Sequence, residues 1–163
     1  MENFNNFTNK QEIENSSEIF NEAVSALASE FHEDWRKTRL NEDGSFEPRL
    51  KSTSDEAWIA KHGMNEVDIA NTSYEDLPED WQYENKQAAT VVVNVLSEYN
   101  GSIELENDMI RSSVGEKIHS AWLERNNWAA GGELDVPFDD LSFEEQEKDI
   151  DQIRVAKRVF DLE

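Results

Sequence analysis

Residues 118–122 read Ile118-His119-Ser120-Ala121-Trp122, and the same apolar-His-x-x-Trp spacing stands 87 residues earlier in Phe31-His32-Glu33-Asp34-Trp35. Farther on, Tyr74-Glu75-Asp76-Leu77-Pro78 is matched at an offset of 64 by Phe138-Asp139-Asp140-Leu141-Ser142. Each is an aromatic-acid-acid-Leu run followed by a helix-starting residue, and Gln82 then matches Gln146. The order is the same in both copies: a helix ending in His-x-x-Trp, a loop, an acidic turn, a long helix. The first copy's spacer is longer by 23 residues, which contain Trp58. A two-helix unit cannot cover its own apolar stripe, so two such units are expected to pack face to face. The reading is an all-α fold of two degenerate helical repeats about a pseudo-two-fold, with five to six helices.

Periodicity outward from these motifs supports it. Phe20, Ala23, Val24, Leu27, Phe31 and Trp35 recur every three or four residues, one face of an amphipathic helix. Capping-box spacings at Thr8–Gln11 and Asn15–Glu18 place its start near Gln11 or Ser17. Residues 1–10 are read as a flexible N-terminus, and 11–163 as a single helical domain with repeat 1 at 20–105 and repeat 2 at 108–162. A short helix capped by Thr53 buries Trp58 and Ile59 and ends at Gly63. A longer one runs from Pro78, at its first position, to about Tyr99, ended by Gly101. Its Thr90–Val95 stretch is β-branched, but the apolar spacing continues on both sides, and tertiary context overrides weak propensity. A further helix spans about Asp108–Asn126, or starts at Ser113, and buries Met109, Ile110, Val114, Ile118 and Trp122. The last follows Ser142. Strand content is expected near zero.

Fifteen Lys and Arg face 37 Asp and Glu in 163 residues, a formal charge of -22. Five Trp, eight Phe and three Tyr supply the apolar surface for a core, at ~25 cal/mol per Å² buried. No apolar run approaches the roughly 20 residues of a membrane span. The polar N-terminus lacks the pattern of a secretory signal, so the expected setting is cytoplasmic. With no Cys there is neither a disulfide nor a thiolate metal site. The acid excess would repel nucleic acid and anionic membranes. The expected partner is a protein or small ligand, with no direct nucleic acid, no membrane, and a monomer or weak homodimer.

The pattern resembles the ryanodine-receptor repeat domain, a small helical module also found in bacterial and phage proteins. The resemblance rests on Ile118-His119-x-x-Trp122, on Asn127-Trp128 where the family has Gly-Trp, on the aromatic-acid-acid-Leu turn and on the acidic helix after it. In the first copy it rests on Phe31-His32-x-x-Trp35, on Tyr74–Leu77, and on Trp81 running on to Tyr99-Asn100-Gly101-Ser102-Ile103. It implies a non-enzymatic recognition module and brings no catalytic residues.

The candidate chemistry agrees. Each of His32 and His119 lies three residues before a Trp, on one helix side, where an imidazole under the indole is expected to bond a backbone carbonyl or a carboxylate. Neither has a second His at metal-ligand spacing, and no metal or other cofactor is expected. Asn41, Asp43 and Gly44 suggest a calcium loop, but Arg39 and Leu50 then occupy its first and twelfth positions, where acids are required. No phosphate loop, dinucleotide fingerprint or nucleophile elbow occurs. Trp35 with Arg39, and Trp122 with Arg125, approach the ends of equivalent helices and are expected to line one shared groove. Trp128, in a Gly-flanked loop, either pins that loop or offers its ring to a partner. The acid-rich segments 66–84 and 133–151 suit helix starts. Their alternative reading is a nucleic-acid mimic that inhibits a DNA-binding or defence protein.

Overall fold

The computed structural model describes the backbone of residues 2–162 and the side chains of 15–162. Among these residues there are five α-helices: α1 (Glu2–Lys37), α2 (Glu56–His62), α3 (Glu79–Glu98), α4 (Asp108–Arg125) and α5 (Phe143–Val159). The fold is all-α but for one small sheet, in which β1 (Leu50–Ser52) pairs antiparallel with β2 (Glu66–Asp68). These two three-residue strands agree with the expected strand content near zero. Val67, 2% exposed, anchors the ribbon to the core, so burial rather than length holds it there.

Helix α1 runs on from Glu2, so neither Gln11 nor Ser17 starts it, and Asn15 lies inside it. The Thr8–Gln11 side chains lie outside the described residues. Its expected stripe is the one that packs: Val24, Leu27 and Ala28 are buried, with Phe20, Ala23, Phe31 and Trp35 against them. Full burial of Leu27 alone contributes roughly 1.5–3 kcal/mol. Helix α1 packs on α3 and α5, and α4 packs on the same two. One core cluster therefore draws on all four long helices, with Val92, Leu96, Val114 and Ile153 at its centre. A smaller cluster of Phe138, Leu141 and Ile150 joins α5 to the second acidic turn.

Capping chemistry sets the ends. Asn107 caps α4 and Ser142 caps α5, the latter accepting from the Glu145 N–H. Pro78 is the N-cap residue of α3, not its first helical residue, with extended ψ. Asp55, not Thr53, caps α2 by accepting from the Trp58 N–H; Thr53 is buried and donates to Asp80 instead. Gly63 and Gly101 both take positive φ, and the Gly101 N–H closes α3 onto the Leu96 carbonyl. Thr90–Val95 is helical throughout. Met109 is 84% exposed, not buried, because it falls in the first turn of α4. Nothing in α2 is fully buried; Trp58 packs half-buried on the main cluster and Ile59 is only partly covered.

The two motif sets make the same local contacts. His32 Nε2 donates to Thr72 O (2.8 Å), and His119 Nε2 donates to Leu134 O (3.0 Å) and Val136 O (2.9 Å). Each ring lies near-parallel to its Trp, His32 to Trp35 at 5.8 Å and His119 to Trp122 at 6.1 Å. Tyr74–Asp76 and Phe138–Asp140 are both single 3₁₀ turns. A glutamate from the histidine-bearing helix accepts the first N–H of each: Glu33 of α1 from Tyr74, Glu116 of α4 from Phe138. Gln82 donates back to Tyr74 O and Gln146 to Phe138 O.

Candidate functional site

A cavity of about 260 Å³ opens where α4, α5 and the segment before the second acidic turn meet. The spacing of α5 explains its far wall. Gln146, Asp149, Ile150, Ile153 and Ala156 share one helix side, and the last three are fully buried. Asp149 therefore lies on a mostly apolar face, and only 8% of it is exposed. Glu145 and Gln152 line the same wall one turn to either side of it. From α4 come His119, 3% exposed, and Trp122; Leu134 and Leu141 supply the apolar remainder.

The polar groups here are unequally satisfied. Two carbonyls face His119 Nε2, and carbonyls only accept, so that nitrogen carries the proton. Nδ1 then faces Asp149 Oδ2 at 3.8 Å, too far for a hydrogen bond. Lys148 lies outward and donates to Glu145 (2.7 Å), which leaves Glu145 locally neutralised. No described residue gives the Asp149 carboxyl a hydrogen bond. Burial accordingly pushes its pKa up to about 6, against the downward pull of nearby His119.

At the first motif set the corresponding positions are filled differently. At the 64-residue offset Trp81 stands for Glu145, Asn85 for Asp149 and Ala88 for Gln152. Trp81 donates its indole N–H to Ser52 O, and Asn85 donates to Trp81 O. The ribbon thus meets an indole where the second set presents Glu145. A broader hollow of about 730 Å³ lies beside α2, with Trp58 and His62 stacked at 4.0 Å in its wall.

The residues expected to form one groove make two sets of contacts, one around Trp35 and one around Trp122. Arg39 lies over Trp35 (5.5 Å), but its guanidinium donates to Glu47 O and Pro48 O, and so serves to close its own loop. Trp122 meets Trp128 edge-on at 5.6 Å. Trp128 both ties its loop, by donating to Asn126 Oδ1, and leaves its ring 75% exposed. Arg125 is half-buried, and burial holds its guanidinium below the usual pKa despite Glu84 and Glu124 nearby. The cavity takes Trp122 from the expected five and adds His119, Asp149, Glu145 and Gln152. One acid of each turn has a partner of its own: Asp139 accepts from Ser112 and Asp76 from Ser73. Among the described residues no three His, Asp or Glu side chains converge as a metal site, and no helix is long and apolar enough to cross a membrane.

Comparison with protein-family models, with curated proteins and with solved structures finds no match to this chain.

Proposed function

We propose that this chain is a non-enzymatic recognition module of the ryanodine-receptor-repeat type, and that its ligand site is the cavity between His119, Trp122 and Asp149. One observation carries the reading: an aspartate on the apolar face of α5, its side chain 12% exposed at the cavity wall, with no hydrogen bond from any described residue. The carboxylate oxygens reach only the cavity, so a donor seated there would form a charge-assisted hydrogen bond in partly dry surroundings. The cavity lies just below the usual range for ligand pockets, roughly 300–1,000 Å³, so a small ligand or a single side chain of a partner fits it.

The non-enzymatic part has its own support. The His119 Nε2 proton is committed to two main-chain carbonyls, and no Ser or Thr hydroxyl lines the cavity. A hydroxyl nucleophile paired with His119 therefore has no counterpart among the described lining residues. The test is a thermal-shift screen of a small-metabolite library against the wild type and Asp149→Leu. Compounds that stabilise only the wild type support the reading. Turnover of such a compound, or stabilisation of both proteins by every hit, overturns it.

A further inference from the structure

We infer that the cavity recognises an alkylammonium group, with Asp149 as its anion and the Trp122 side as the seat of its apolar stem. The inference rests on the recognition reading and adds the chemical class of the ligand.

Three features point to a cation. First, the formal charges at the cavity are Glu145, Asp149 and Lys148, and Lys148 is taken up by Glu145. What remains without a hydrogen bond is the Asp149 carboxylate, with the His119 ring 3.8 Å away. A carboxylate or phosphate ligand would meet two carboxylates against the one Lys148 ammonium. Second, the available acceptors match an ammonium, which has three N–H donors. They are the two Asp149 oxygens and the Gln152 amide oxygen. Third, Leu134 and Leu141 suit a short hydrocarbon chain, and an indole attracts a cation to its face.

The molecule also contains its own comparison. The first motif set keeps the His-Trp stack and the 3₁₀ turn with Trp81, Asn85 and Ala88 in place of Glu145, Asp149 and Gln152. The shared local architecture thus stands without the acid. Asp149 is a departure from what folding requires, and it stands beside the acceptors an ammonium needs.

The probes are n-butylammonium chloride, n-butanol and sodium butyrate, titrated at pH 7.5 and constant ionic strength into the full chain. Amide and indole resonances of His119, Trp122, Leu134 and Asp149 are followed. Butylammonium is expected to shift them saturably with a Kd on the order of 1 mM, given its few atoms. Asp149→Asn, which keeps shape and removes charge, is expected to weaken binding at least about tenfold. N-acetyl-lysine methylamide separates two sources of the same chemistry: tighter binding than butylammonium indicates a partner's lysine, weaker binding a free amine. Absence of a saturable butylammonium shift, or equal affinity in Asp149→Asn, overturns the inference. If butanol or butyrate saturates the cavity instead, the cation fails while the recognition site stands. If no probe moves these resonances and the metabolite screen is blank, both fall.

Discussion

The ring of Phe138 occupies the space that a side chain on residue 115 would need. Gly115 sits inside α4, where a glycine ordinarily costs up to about 1 kcal/mol relative to alanine. Here a Cβ would run into the ring of Phe138, which is fully buried. Gly115→Ala is therefore expected to destabilise by about 1–3 kcal/mol, against the propensity gain, and Phe138→Ala by about 3–5 kcal/mol. Urea titration measures both. Phe138→Leu combined with Gly115→Ala is expected to recover part of the loss, because the two sites compete for one volume.

Asp149 gives a pH signature of its own. Its pKa is about 6 in the folded chain and near 3.8 unfolded, so between those values the folded state holds more protons. Stability from this group is fully present below about pH 4, falls as pH rises towards 6, and is then constant. Asp149→Asn removes the dependence. The variant is expected to gain up to about 2–3 kcal/mol over the wild type at pH 7.5, and the gain to shrink towards pH 4. Urea midpoints of the two proteins across that range check it; a pH-independent difference contradicts it.

His32 has the opposite sign. Burial holds its pKa below the ordinary 6.5, against the Thr72 carbonyl and Glu33, which pull upward. Its contribution is complete above pH 6.5 and is lost as pH falls through the lowered value. The imidazole resonances of His32 are expected to titrate below those of an exposed histidine. His32→Ala leaves Thr72 O without its donor and is expected to cost about 1–3 kcal/mol at pH 7.5, less in acid.

Arg39→Ala separates the two tryptophan groups. The guanidinium closes residues 39–48 through two main-chain carbonyls, so its loss is expected to raise hydrogen exchange there and to cost about 1–2 kcal/mol. Resonances of His119, Trp122 and Asp149 are expected to stay in place, which a single shared groove would not allow.

The helices were legible because their apolar residues recur at helical spacing and their ends carry Gly, Asn or Ser. That spacing also kept Thr90–Val95 helical: Val92, Val93 and Val95 are buried on a face that continues from Ala89 to Leu96. Met109 misled because it continues the stripe of α4 into a first turn that no neighbour covers. Both histidines were legible through their Trp partners. Asp149 was not, because it counts as one of nine acids in 133–151. The signal was present in its position, one residue before Ile150 and four before Ile153, where α5 is otherwise apolar. Of the residues expected to line a shared groove, each indole is held by its own half, Trp35 under Arg39 and Trp122 against Trp128.

Arg158, near the C-terminal end of α5, donates to Glu30 and Asp34 of α1 across some 124–128 residues of chain. Helix α1 also packs on α5, so its apolar side has no complete cover until α5 has left the ribosome. Such long-range closure slows folding, since loop closure must precede the contacts that reward it. A nascent chain stalled before α5 would present a greasy helix early, and the high density of carboxylates along the rest of the strand is what would keep neighbouring copies apart during that wait.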